Sequence, residues 1–215
     1  MLLSSDVASY AGFLFPAAVE AAGLASQSEA YFNGARFLGP ARFTGATFSI
    51  AGVWFEGARF GSIANFDGAV FTGAAEFRQA QFEHAFHMRG ARFNRDAWFV
   101  GAIFEAAVFA DNAQFAGEAG FGSCKFSGPV EFCSACFRAG AGFEGSRFED
   151  EANFDDVDFK GPVWLRDAAF QKPPSFHRAR FADMRRVLAG GARFPVIESP
   201  VSNRLERLAR SLRSS

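Results

Sequence analysis

Little in this chain carries chemistry of its own. Cysteine appears three times in 215 residues, and with no export signal that usage fits a reducing cytoplasm. No apolar run approaches the roughly 18 residues a membrane-spanning helix needs, so no membrane partner is expected. An excess of one charge is missing too. The 22 basic and 23 acidic residues leave a net charge of −1, and no global field draws the chain to nucleic acid. Nor is there a Walker loop, a nucleophile elbow or a His-Glu-x-x-His pair. We therefore expect no enzyme, no cofactor and no resident metal. What the chain has in quantity is Phe, at 30 positions, and Gly, at 22.

The Phe residues are periodic. From Phe121 a bulky apolar residue returns at alternating steps of 5 and 6: Phe121, Phe126, Phe132, Phe137, Phe143, Phe148, Phe154, Phe159, Leu165, Phe170, Phe176 and Phe181. Two positions before most of them sits a small residue, such as Ala119, Cys124, Val130, Ala135 and Ala141. An 11-residue period also suits a right-handed helical coiled coil. On a helix, however, a step of 5 leaves successive Phe residues about 140° apart, on two separate stripes. Glycine inside the repeat would cost a helix about 1 kcal/mol each. A short strand followed by a turn fits better. The centre and the residue two before it then share one face, and Gly falls just past the centre, where a turn needs positive φ. The chain reads as a repeat protein with Phe and Ala pointing inward, and a solid interior without a ligand-sized cavity is expected.

Segments such as Ala41-Arg42-Phe43-Thr44-Gly45 and Ala46-Thr47-Phe48 resemble pentapeptide repeats, of the Phe-centred kind with a periodic extra residue. The resemblance covers 31–187. It implies an all-β solenoid, a right-handed quadrilateral β-helix with four repeats, or about 22 residues, per coil. It also implies a function class of its own, because some members of that family mimic duplex DNA and protect type II topoisomerases such as gyrase from inhibitors.

The flanks stand outside the repeat. Over 1–30 the chain has no basic leader and is broken by Gly12 and Pro16, which argues against a signal peptide. Pro16, Ala17 to Ala22 and Gly23 read as a short helix covering the first coil. Within the repeat, a step of 7 from Phe48 to Phe55 predicts one inserted residue near Ile50 to Gly52. Met88 takes a centre with Phe86 in the small-residue slot, and Phe109 arrives one residue early, so local irregularity is expected there. Ala182 to Ala189 reads as one or two helical turns. The remainder, 188–215, is a connector and an amphipathic helix with Leu205, Leu208 and Leu212 on one stripe and Arg204, Arg207, Arg210 and Arg213 opposite. That helix reads first as a cap with a solvated basic face, and next as a homodimerisation element. Contact with a membrane or nucleic acid is the weakest reading.

The candidates for chemistry are few. Cys133-x-x-Cys136 has redox or zinc spacing, but no second pair accompanies it, and the bland reading is incidental thiols. His84 and His87 lack a third ligand. Glu149, Asp150, Glu151, Asp155, Asp156 and Asp158 resemble paired catalytic carboxylates only if a pocket holds them. Coil arithmetic offers another account. Residues 22 apart stack, so Glu144 meets Arg166, Asp150 meets Lys172, Asp155 meets His177, Asp156 meets Arg178 and Asp158 meets Arg180. The cluster is then a charge ladder that pins coil register. Function divides between a protein-interaction scaffold and a DNA-mimicking, topoisomerase-binding protein. For the second, 1–165 carries 11 basic and 19 acidic residues, an acidic body without the dense charge of a dedicated mimic.

Overall fold

The computed structural model describes residues 8–26 and 28–195, and every long-range pairing in it follows from the repeat. The chain winds into a quadrilateral β-solenoid of about 8 turns, with about 22 residues per coil. The inner coils each contribute a two- or three-residue strand to each of four parallel sheets. The first sheet has nine strands, from Ala8–Ser9 to Val187–Leu188, and the second has eight, from Leu14–Phe15 to Ala169–Phe170. The third runs from Val19–Glu20 to Ala152–Asn153 and the fourth from Thr47–Phe48 to Arg180–Phe181, with seven strands each.

The alternation of 5 and 6 has a local cause. The corner after each strand of the first and third sheets contains a residue in the left-handed region, for example Gly145 (φ 65°) and Asp156 (φ 57°). That conformation reverses the chain sharply, so the next centre follows 5 residues later. The other two corners lack it and use one residue more. Glycine suits the tight corner because it has no Cβ. Several coils nonetheless place another residue there, including Gln79 (φ 57°), Ser134 (φ 59°) and Arg178 (φ 54°).

Inside, the centre residues form columns. Phe93, Phe115, Phe137 and Phe159 stack with centroids 4.8, 4.8 and 5.2 Å apart and rings within 9° of parallel. Rings of different columns meet edge to face, as Phe121 and Phe132 do at 5.4 Å and 76°. Both arrangements suit the aromatic quadrupole. Phe121, Phe126, Phe132, Phe137, Phe143, Phe148, Phe154, Phe159, Leu165 and Phe170 are all buried.

Several local expectations change. No helix forms over 17–22: Val19–Glu20 is a strand paired with Ala41–Arg42, because the parallel edge of the next coil satisfies its backbone. The insertion near Ile50 is an exposed turn, with Ile50 77% exposed, Gly52 at φ 113° and register partners 23 apart across it (Ala30 with Val53). Phe109 is no early centre. It points outward beside its strand partner His87, Ala110 takes the buried centre, and the register stays regular. Phe86 compensates in volume: its ring reaches Phe99 (6.0 Å) and Phe104 (5.6 Å) of the next coil, toward the level where Ala110 leaves space. The expected helical turns over 182–189 reduce to a three-residue 3-10 turn, Met184–Arg186, capped by Asp183, before the strand Val187–Leu188. The interior is also not solid throughout. Ala21 and Ser26 stand at centre positions of the first coil, leaving an apolar hollow of about 340 Å³ lined by Tyr10, Phe15, Leu24, Phe32 and Phe43. Leu205, Leu208, Leu212 and the helix expected around them lie outside the described residues.

Candidate interaction surface

On a filled solenoid the outward positions are what other molecules meet, and register sorts them into straight rows. On the first sheet the outward row reads Tyr31, Trp54, Glu76, Trp98, Gly120, Gly142, Trp164 and Leu188, each residue the strand partner of the next. All three tryptophans of the chain therefore share one wall. Tyr31 and Trp54 stack at 4.6 Å and 13°. Trp98 and Trp164 lie against backbone that carries no side chain. A Cβ on Gly140 would come 2.6 Å from Trp164 Cζ3, and one on Gly120 would overlap the Trp98 ring. Glycine is required at both positions for the indoles to come this close to the backbone.

Around this platform the charge is mainly negative. Arg78 sits over Trp98, with Cζ 5.1 Å from the ring centroid, and pairs with Glu76. Burial pushes the Glu76 carboxyl up; Arg78 offsets part of that shift, and the nearby carboxylates of Glu56 and Asp96 add to it. Glu118 flanks the row on one side. On the other, Glu144 folds back so that its Oε2 would be 2.8 Å from a Cβ on Gly142.

The other walls mix their charges. On the third, Arg178 holds Asp156 through two hydrogen bonds of 2.7 Å, and on the fourth Arg180 lies 3.6 Å from its register partner Asp158. Lys172 pairs with Asp150 across the same coil boundary. Two of the five expected ladder contacts take a different form. Asp155 accepts the backbone N–H of His177 at 2.7 Å, so the imidazole is not its partner, and it also bonds the Ser175 hydroxyl. Arg166 meets the Glu144 loop through its carbonyl, which accepts the Gly145 N–H, while the Glu144 carboxylate turns to the glycines. The same stagger, acid below and base above, recurs far from this cluster in Glu20 and Arg42. Hydrogen bonds from Lys172 and Arg178 hold the Asp150 and Asp156 carboxyls below the usual aspartate range.

The cysteines and histidines spread out. Cys133 and Cys136 are free thiols on adjoining walls, and buried Cys124 donates to the Phe99 carbonyl at 3.0 Å, with its thiol pushed up to about 12 by burial. Burial likewise lowers the His87 pKa; its ring packs on Phe109 (4.9 Å), whose other neighbour is the Arg89 guanidinium 4.0 Å from the ring centroid. Among the described residues no cluster of His, Cys, Asp and Glu could hold a metal ion, and no helix is long and apolar enough to cross a membrane. The tryptophan wall is the feature that reading for motifs missed. Its signal was present, since Trp54, Trp98 and Trp164 are separated by whole multiples of the 22-residue coil.

Comparison with known proteins agrees with the fold. The family model for "Pentapeptide repeats (9 copies)" matches 27–69, 55–103 and 110–168. No curated protein matches the chain in sequence. Among solved structures, a trypsin-treated variant of QnrB1, a plasmid-mediated fluoroquinolone resistance protein, aligns over 96% of this chain and 98% of its own. The identity is 15% and the TM-score 0.30, a likeness too distant to bear on function.

Proposed function

Since the chain belongs to the pentapeptide-repeat family, we propose that it is a non-catalytic interaction scaffold, a rigid rod that works in the cytoplasm by presenting fixed rows of side chains to a partner protein. One observation carries the reading: Tyr31, Trp54, Trp98 and Trp164 occupy the outward row of a single wall. Tryptophan and tyrosine dominate the energetics of protein interfaces because each buries a large area at little entropic cost. A solenoid coil rigid in its Phe columns adds preorganisation, which lowers the ordering cost of binding. The expected C-terminal stripe of Leu205, Leu208 and Leu212 would add either a cap or a homodimer contact to the same rod.

DNA mimicry and gyrase protection form the second reading, and the charge layout disfavours it. A mimic must offer continuous negative charge in place of phosphates. Here acids on two coil boundaries meet a base one coil on, as Glu20 meets Arg42 and Asp150, Asp156 and Asp158 meet Lys172, Arg178 and Arg180.

Two measurements test the proposal together. A photo-crosslinking residue is placed at Val100 on the tryptophan wall or at Lys160 on the fourth, and crosslinks to partner proteins are compared. We expect them from Val100. The same protein in excess should leave gyrase supercoiling and its inhibition by drug unchanged. Crosslinks from neither site together with protection of gyrase would replace the first reading by the second.

A further inference from the structure

The second wall carries a surface of a different kind in its first three coils, separate from the tryptophan wall. Its outward row begins Leu14, Arg36, Arg59 and Gln81, each the strand partner of the next. Arg36 and Arg59 therefore stand one coil apart, about 4.8 Å between backbones. Like charges directly opposite on a sheet repel. Both side chains are exposed, and neither guanidinium has an ion pair among the described residues to offset the repulsion. Lys125, farther along the same row, shows the contrast: it lies 3.9 Å from Glu105 and 3.6 Å from Glu149. Glu83 leans over bare Gly61, its Oε2 3.7 Å from where a Cβ would stand, and Glu56 acts on Glu76 at the corner with the first wall. Neither acid pairs with the two arginines. Beside them the surface is apolar. Leu14, Leu38 and Ile63 are 46, 50 and 44% exposed. Above Leu38 the next coil offers only Gly61, whose Cβ position is 3.9 Å from the Leu38 Cα, so no side chain there covers the leucine.

We infer that this patch receives a segment of a partner protein that bears both carboxylates and large apolar side chains, with the carboxylates on Arg36 and Arg59 and the apolar groups on Leu14, Leu38 and Ile63. Charge complementarity selects the occupant. A carboxylate pairs bidentately with a guanidinium, and one set on each arginine replaces the repulsion in the row by attraction. Arginine among large apolar side chains is also the composition that interfaces favour. A two-fold contact with a second copy does not fit, because the patch would meet itself and set arginine against arginine. The C-terminal stripe of Leu205, Leu208 and Leu212 does not fit either, since 202–215 brings four further arginines against one glutamate. Nucleic acid would neutralise the arginines but set the two leucines and Ile63 against phosphate and sugar.

The full chain is titrated into a fluorescein-labelled peptide that alternates Glu with Leu, and in parallel into the same peptide with Lys for Glu or with Ser for Leu. Binding is followed by fluorescence anisotropy. The expected result is saturable binding of the Glu–Leu peptide, with both control peptides at least about tenfold weaker. Affinity should also fall about tenfold in the Arg36→Gln, Arg59→Gln double variant and in the Leu14→Ser, Leu38→Ser double variant, while Lys125→Gln on the same row leaves it unchanged. All these side chains lie outside the Phe core, and thermal melts should place the variants with the parent. No saturable binding, equal binding of either control peptide, or full affinity in either double variant would overturn the assignment. A short DNA duplex that displaces the peptide at lower concentration than the unlabelled peptide itself would overturn it in favour of nucleic acid. So would a dimer of the peptide-free chain that the Leu14→Ser, Leu38→Ser variant dissociates in sedimentation, because a second copy would then cover the patch. Crosslinks from Val100 judge the tryptophan wall separately. If they arise while the Glu–Leu peptide fails, the scaffold reading stands and this second surface does not.

Discussion

Phe104 and Phe109 differ by one repeat step in sequence and by the whole wall in space, which makes them a sharp pair to perturb. Phe104 is 1% exposed and packs face to face on Phe82 at 4.9 Å and Phe126 at 5.0 Å, with the tilted ring of Phe86 at 5.6 Å. Truncation to Ala removes those contacts and leaves a void that the stacked columns above and below prevent from closing. Such Phe→Ala changes cost about 3–5 kcal/mol. Phe109 touches His87 and Arg89 on the outside, so Phe109→Ala forfeits an exposed cation–π contact and part of one apolar face, about 1 kcal/mol. For a chain of this size each kcal/mol moves the melting temperature by about 2–4 °C. Phe104→Ala should therefore melt roughly 6–20 °C below the parent and Phe109→Ala about 2–4 °C below, followed by circular dichroism. Equal losses would mean that Phe109 is a core centre, and the register of the third wall would be wrong.

Four further outcomes follow from the same geometry. Gln79→Gly, at a corner with φ 57°, should raise stability by about 1 kcal/mol, because glycine removes the left-handed strain; urea titration that shows a loss would contradict this. The Asp156 carboxyl is held below its ordinary value by Arg178, so its contribution is fully present above about pH 3.9 and disappears as pH falls through the lower folded value. Stability of the parent and of Asp156→Asn should thus differ at neutral pH and converge in acid, as pH-dependent unfolding curves will show. With its thiol pushed up to about 12, Cys124 should resist iodoacetamide at pH 8 while Cys133 and Cys136 react, and mass spectrometry should count the third adduct only after unfolding. Deleting residues 202–215 should change oligomeric state or solubility; a truncated chain of unchanged mass in solution and unchanged stability would remove the role of Leu205, Leu208 and Leu212.

The Phe and Ala periodicity by itself determined the repeat length and the inward residues, because one local rule is repeated along the chain. The count of four repeats, about 22 residues, per coil came from the resemblance to pentapeptide repeats, and the structure bears it out. The same arithmetic located the partners of Asp156 and Asp158, since a stacked coil turns a sequence offset into a contact. It failed where tertiary neighbours override local preference. The Pro16 to Gly23 segment has helical signals, yet the open backbone of the next coil draws Val19–Glu20 into a strand. Phe109 matches the repeat motif, yet the packed column admits Ala110 and turns the larger ring outward. Glu144 and Arg166 are stacked as counted, but the direction of a side chain is chosen by what lies beside it, and Glu144 turns to the bare glycines. The platform itself needed the tertiary structure for the same reason. Sequence spacing places Trp98 and Trp164 on one wall, while only the tertiary structure shows that their rings come close against Gly120 and Gly140, where a side chain would collide with them.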